Sequence, residues 1–167
     1  ICIAKPGLHK WHGSCTKTGT WTTSPAGVST GAFQATGCVY SATAGETISV
    51  SVSGSIVAIR SFNTTNGGFG VVSIDGDFIW ATKLTAFTAA DYAGGLCRST
   101  DVGERYICGY SAAPQSECVT IADDLTAGAH TILIEATGTK PAASSATRCY
   151  VEGIASVDGS SIGTADV

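Results

Sequence analysis

Methionine is absent from this chain and charge is scarce: of 167 residues, 9 are Lys or Arg and 13 are Asp or Glu, a charged fraction of 13% and a net charge of −4. The charged fraction is about half that of an ordinary soluble protein. No Lys/Arg run occurs, so the basic stripe that neutralises phosphates is missing and nucleic acid is excluded as an expected partner. Long apolar runs are missing too. The longest continuous aliphatic stretch is Ile56 to Ile59, far short of the ~18 residues that a membrane-spanning helix needs. Amphipathic patterning over a dozen residues is nowhere visible, and only 4 prolines punctuate the chain.

What is abundant is small, hydroxylated and β-branched. The sequence holds 18 Ser, 22 Thr and 21 Gly, a bias that favours strands and turns over helices. The length fits one domain with a sizeable core. The chain begins at Ile1, which we read as the product of processing and hence of export. An extracellular setting, at a cell surface, in a secretion or on a virion, is therefore expected.

Seven cysteines, Cys2, Cys15, Cys38, Cys97, Cys108, Cys118 and Cys149, include no Cys-x-x-Cys pair. In an exported chain they predict a disulfide framework. Short loops make Cys2 with Cys15, and Cys97 with Cys108, inexpensive to close, and Cys38 with Cys149 is the expected third bridge. The odd sulfur is then left for a buried thiol, an interchain bridge or a metal. Cys2-x6-His9-x2-His12-x2-Cys15 contains the ligand types of a tetrahedral zinc site, but a Cys2–Cys15 disulfide would remove both thiolates, so the metal content is left unassigned.

The clearest period-2 signal is Thr47 to Ser53, with Ile48, Val50 and Val52 on one side and hydroxyls on the other. After Gly54 the apolar run Ile56 to Phe62 predicts a strand covered on both faces, followed by the turn-rich Asn63-Thr64-Thr65-Asn66-Gly67-Gly68. Asp75-Gly76 supplies the positive φ angles of a tight hairpin between Phe69–Ile74 and Phe78–Leu84. Strand signals return at Glu117–Ile121, Thr131–Ala136 and Arg148–Ala155. Residues 86–118 form a Cys-rich insertion without a sustained period, and a connection of that length is usually functional or stapled. The expected organisation is an N-terminal extension over 1–22, a single domain over 23–157, and a polar tail over 158–167. Many short strands with no crossover helix predict an all-β fold, an antiparallel β-sandwich or jelly roll stapled by disulfides.

Three segments in order, Thr47-Ile48-Ser49-Val50-Ser51-Val52-Ser53-Gly54, Val71-Val72-Ser73-Ile74-Asp75-Gly76, and Leu125 to Thr131 with Glu135 to Lys140, resemble galactose-binding-like jelly-roll carbohydrate-binding modules. Such modules are appended to many secreted glycoside hydrolases, polysaccharide lyases and phage tail proteins. The resemblance covers roughly residues 40–155 and is best from Ala127 to Tyr150. It implies the jelly-roll fold and, less directly, sugar binding. A structural calcium accompanies many such modules, but its ligands cannot be matched here residue by residue, and no other cofactor is implied. The chain departs from the pattern in its N-terminal extension, its insertion between Tyr92 and Cys118, and its lack of a recognisable catalytic domain.

Sugar recognition needs an aromatic surface for the C–H face of a pyranose and a few fixed polar groups for its hydroxyls. The insertion and the hairpin offer Trp80, Tyr92, Asp101, Arg105 and Tyr106 as the expected ligand-binding set. The same residues also fit a structural role, with Trp80 in the core and the charges on a solvated rim. Asn63-Thr64-Thr65 has the form of an N-glycosylation sequon in an expected exposed loop. Neither Asp123-Asp124 nor His130 is poised for catalysis by its surroundings in sequence, so no enzymatic activity is expected. Two functions remain: a non-catalytic carbohydrate-binding or lectin-like module, and a structural subunit of a virion, surface filament or adhesin.

Overall fold

The computed structural model describes residues 9–24, 37–78, 96–98, 105–122 and 124–157. In chain order its strands are β1 (His9–Trp11), β2 (Thr16–Thr18), β3 (Thr22–Ser24), β4 (Cys38–Ser41), β5 (Thr47–Ser53), β6 (Ile56–Asn63), β7 (Phe69–Ile74), β8 (Asp77–Phe78), β9 (Leu96–Arg98), β10 (Arg105–Cys108), β11 (Gln115–Ala122), β12 (Ala129–Ala136), β13 (Cys149–Val151) and β14 (Gly153–Val157), with a 3-10 turn at His12–Ser14. Among the described residues there is no α-helix, and no helix is long and apolar enough to cross a membrane. The all-β expectation therefore stands.

The strands form three sheets: β1-β14-β6-β11, then β2-β5-β12-β7-β10-β9 with β8 also on β7, and β13-β4-β3. Every ladder between these strands is antiparallel. The alternation in the sequence is what sorts the faces. On β5, Ile48 and Val52 are buried and Val50 packs against the core from a partly exposed position, while Ser51 and Ser53 are exposed. On its neighbour β12, Ile132, Ile134 and Ala136 are buried and Thr131 is exposed. β7 is buried along its whole length, as an interior strand with cover on both faces must be.

Val39 and Val151 of the third sheet, Val57, Ile59, Ile121 and Ile154 of the first, and Ile48, Val72, Ile107, Ile132 and Ile134 of the second share one apolar core. Several of these are fully buried, Ile59, Ile132 and Ile154 among them, and each such side chain contributes roughly 1.5–3 kcal/mol of transfer free energy. The hairpin at Asp75-Gly76 is present, with φ of 55° and 90°, the left-handed pair that a two-residue turn of this type requires. Residues 79–84, expected to complete its second strand, lie outside the described residues.

Several expectations are altered. The stretch expected as an N-terminal extension contributes β1 to β14 and β2 to β5, and β3, which starts at its last residue, pairs with β4. Glu46 fastens it: Ser41 Oγ donates to one carboxylate oxygen and the Thr20 amide to the other at 2.8 Å. The single last strand is two, because the chain leaves β13 at Glu152 and enters a different sheet as β14. Residues 86–118 contain β9, β10 and the start of β11. Residues 158–167, expected as a tail, lie outside the description.

The expected Cys38–Cys149 bridge is overturned by register. Cys149 pairs with Ser41 and Val151 with Val39, so Cys38 lies three residues from the partner of Cys149, roughly 10 Å along the strand at about 3.3 Å per residue. Three residues is also an odd offset, which turns the two side chains to opposite faces, whereas a disulfide needs Cα atoms within about 4.4–6.8 Å. Cys38 is instead a free, buried thiol, pushed up to about 11 chiefly by burial and then by the Glu152 carboxylate, with a Ser24 hydrogen bond acting the other way. The Cys15 thiol is also raised, again mainly by burial. On the β9–β10 ladder Cys97 faces Tyr106, which sets Cys97 and Cys108 in a diagonal relation of about 7–8 Å. Cys2, the expected partner of Cys15, lies outside the described residues.

Candidate functional site

The expected ligand-binding set divides. Trp80, Tyr92 and Asp101 lie outside the described residues. Arg105 and Tyr106 are consecutive positions on β10, opposite Arg98 and Cys97 of β9. Because β12 occupies one edge of β7 from Gly70 to Ile74, β8 and β10 share the other edge, at Ser73–Ile74 and Phe69–Gly70 respectively. The hairpin strand and the insertion strand therefore pair with the same side of β7, at opposite ends of it.

A second cluster, absent from the sequence expectations, is defined in full side-chain detail. Val39, Cys149 and Val151 point into the core, so strand alternation sends Tyr40 and Tyr150 to the other face of the β13-β4-β3 sheet. The two tyrosines are directly paired across the strands, with ring centroids 5.1 Å apart at a tilt of 51°. Phe62 of β6 meets Tyr150 edge-on at 5.8 Å and 80°, a favoured aromatic geometry. The Arg148 guanidinium lies 4.6 Å over the Tyr40 ring, close enough for cation–π attraction.

Polar groups fix this ledge. Tyr150 Oη donates to Asn66 Oδ1 at 2.8 Å and accepts from Arg148 Nη1 at 3.4 Å. Burial pushes the Tyr150 phenol up, against the pull of Arg148, and the hydrogen bond to Tyr150 raises Arg148. Tyr150 is buried, while Tyr40, Phe62, Asn66 and Arg148 are each partly exposed. The arrangement is a row of aromatic edges with an amide and a guanidinium held at set positions, which is the equipment for packing against a sugar ring and hydrogen-bonding its hydroxyls. Its one trace in the sequence is Arg148-x-Tyr150, two positions that share a strand face; the pairing with Tyr40 joins residues 110 apart, which no local pattern signals.

Beside the ledge three loops are tied by main chain. Gly68 N donates to Arg148 O at 2.7 Å, Gly109 N to Gly68 O at 2.8 Å, Thr64 N to Gly109 O at 2.8 Å and Ser145 N to Thr65 O at 2.9 Å. Gly67 and Gly68 are required by contact: a Cβ on Gly67 would sit 1.6 Å from Gly109 O, and one on Gly68 would sit 2.4 Å from the Thr147 carbonyl. Asn63, at the start of this junction, is 1% exposed. Its Oδ1 accepts from Ser61 Oγ at 3.0 Å, and its Nδ2 has no hydrogen-bond partner. The sequon reading is thereby corrected, since a glycan cannot be carried by a side chain sealed inside the folded chain.

At the far end of β7, His130 Nδ1 meets Asp75 Oδ2 and His130 Nε2 meets Thr126 O, both at 2.7 Å. Asp75 Oδ1 accepts from the Thr131 amide at 2.7 Å. Both oxygens facing the ring accept only, so the imidazole satisfies them by carrying two protons. The hydrogen bond to Asp75 accordingly raises His130 and lowers Asp75. This is a charged latch between the hairpin turn and the entry to β12, and it explains the histidine of the Leu125-x-x-Gly128-x-His130-Thr131 motif structurally. Among the described residues no group of three His, Cys, Asp or Glu side chains is placed to hold a metal ion.

No protein-family model matches the chain, and no curated protein does either. Among solved structures it is similar to the Agl-KA catalytic domain, at 14% identity and a TM-score of 0.47 over 90% of this chain and 28% of that one. It is also similar to an alpha-1,3-glucanase catalytic domain in complex with tetrasaccharides, at 16% identity and a TM-score of 0.43 over 87% and 26%. The chain thus spans about a quarter of the length of these structures. Both are described as catalytic domains, and the expectation of a chain without enzymatic activity is withdrawn. Likeness at this level carries no activity across.

Proposed function

We propose that the chain is a carbohydrate-recognising module, and that the Tyr40–Tyr150–Phe62 ledge with Asn66 and Arg148 is its sugar-contacting surface. The observation that carries this reading is the ledge itself: the partly exposed Tyr40 and Phe62 seated on the buried Tyr150, beside a hydrogen-bonded amide and guanidinium and backed by loops fastened through their main chain. Rigid support of this kind keeps the contact groups in place without ligand and reduces the ordering cost of binding. The three antiparallel sheets around one core make the fold all-β, and the jelly-roll reading of the motifs and the extracellular setting belong to the proposal on sequence grounds. The alternative, an assembly subunit, rests on the sequence alone.

The test is retention of the native chain on a glycan array or on immobilised polysaccharides, wild type against Tyr40→Ala. Specific retention that Tyr40→Ala removes, with the circular dichroism of the fold unchanged, is the expected outcome. Retention that survives the substitution moves the site to the β8–β10 edge with Arg105 and Tyr106, and the absence of retention on any glycan ends the carbohydrate reading.

A further inference from the structure

We propose that Arg148 is an anion-reading subsite, selecting glycans that carry a carboxylate or sulfate group next to the ring held by the aromatic ledge. The proposal deepens the carbohydrate reading above and rests on it. Of the four arginines in the chain, Arg60 and Arg148 are in contrasting situations. Arg60 is buried and ion-paired with Glu152. Arg148 is partly exposed, lies over Tyr40, and among the described residues pairs with no carboxylate; the groups acting on it are the phenols of Tyr150 and Tyr40.

A guanidinium has five N–H donors in a rigid fork, and the hydrogen bond of Arg148 to Tyr150 Oη engages one of them. Tyr40 beneath the plane and Tyr150 at one nitrogen fix the orientation of that fork. A planar cation fixed in this way, with donors in hand, matches the two oxygens of a carboxylate or sulfate, and such bidentate contacts are stronger and more directional than neutral ones. Lys140 adds a second cation on the same loop. Thr139 and Thr147 both close on Gly68, so Lys140 and Arg148 follow from one point of the junction, and Lys140 is exposed with its ammonium anchored on Ser144 O. The net charge of −4 repels an acidic polymer at long range, so selection for one has to come from a local cation of this kind.

The test is an array of matched neutral, uronate-bearing and sulfated glycans, followed by titration of the best uronate or sulfated binder and its neutral counterpart into the full chain. Wild type is expected to bind the acidic member about tenfold more tightly or better, the scale of one charge-assisted contact. Arg148→Gln should bring that ratio near one, by costing the acidic member more affinity than the neutral one. Arg148→Lys, which retains the charge and loses the fork, should fall between them. A wild type that binds neutral and acidic members alike overturns the subsite without any variant being needed, and so does a preference that outlasts Arg148→Gln. Failure to bind every member, neutral ones included, overturns the carbohydrate reading itself and the subsite with it. Preference for sulfate over carboxylate, or the reverse, identifies which oxyanion the fork accepts.

Discussion

Replacing Glu152 by leucine leaves the Arg60 guanidinium in the interior without its carboxylate. The side chains of the pair are 7% and 10% exposed, and the partners are fixed by more than charge, since Glu152 N donates to Arg60 O at 2.9 Å and Arg60 is paired in register with Cys118 on one side and Gly153 on the other. Removing one member of such a pair costs about 3–5 kcal/mol, roughly a fifth or more of the 5–15 kcal/mol that holds a typical domain together. For a chain of this size that loss is about 6–20 °C in Tm. Arg60→Met should do the same from the other side. The double variant, Arg60→Met with Glu152→Leu, should return close to the wild-type value, because two apolar groups of similar size leave no charge to desolvate. The assay is urea and thermal unfolding of the three variants, read as a double-mutant cycle. Single variants that lose under about 1 kcal/mol, the range of exposed pairs, would show that water reaches the pair and refute the reasoning. A double variant as unstable as the singles would show that packing, and not the ion pair, carries the cost.

Other outcomes follow from the same geometry. His130 is raised and Asp75 lowered by their mutual hydrogen bond. The histidine contribution is therefore complete below its ordinary value of 6.5 and is lost as pH climbs through the raised folded value. The aspartate contribution is present above 3.8 and is lost as pH falls through the lowered one. Unfolding midpoints of wild type minus His130→Ala should decline on the alkaline side of 6.5, and a flat difference there refutes a charged latch. Gly67→Ala should destabilise by more than the ~1 kcal/mol ordinary for a point substitution, as its Cβ has no space against Gly109 O; an unchanged Tm would mean that the three-loop junction yields. Cys38, with its thiol near 11, should resist alkylation at neutral pH in the native chain and react after denaturation, as peptide mapping would report. Rapid native labelling would contradict its burial.

The parts of the fold legible in the sequence are those whose signal is local. Ile48-x-Val50-x-Val52 states its own periodicity, Asp75-Gly76 its own turn, and Ile132-x-Ile134-x-Ala136 its inward face. What escaped the sequence depends on partners far along the chain. β9 and β10 are short and lack alternation; β10 is a strand because β7 offers it an edge, and β9 because β10 does. Arg60, inside an apolar run, makes sense only with Glu152, 92 residues later. Asn63-Thr64-Thr65 read as an exposed loop because turn residues follow it, yet Asn63 belongs to β6 and the loops close over it. Of the candidate site, Arg105 and Tyr106 stand out in the sequence as a cation and an aromatic within an insertion, whereas the Tyr40–Tyr150 pair exists only once β4 and β13 are in register.

The junction of Thr64–Gly68, Gly109 and Thr139–Arg148 holds its shape through peptide groups and the smallness of glycine. Thr65, Thr139 and Ser145 are exposed and enter it through their own peptide groups, Thr65 O, Thr139 O and Ser145 N, with Ser145 Oγ adding a bond to Thr65 O. Scaffold and specificity are thereby written in separate parts of the same loops. Libraries confined to those three positions, with Gly67, Gly68 and Gly109 kept, offer a way to retarget the ledge to other ligands while the frame that presents it stays unaltered.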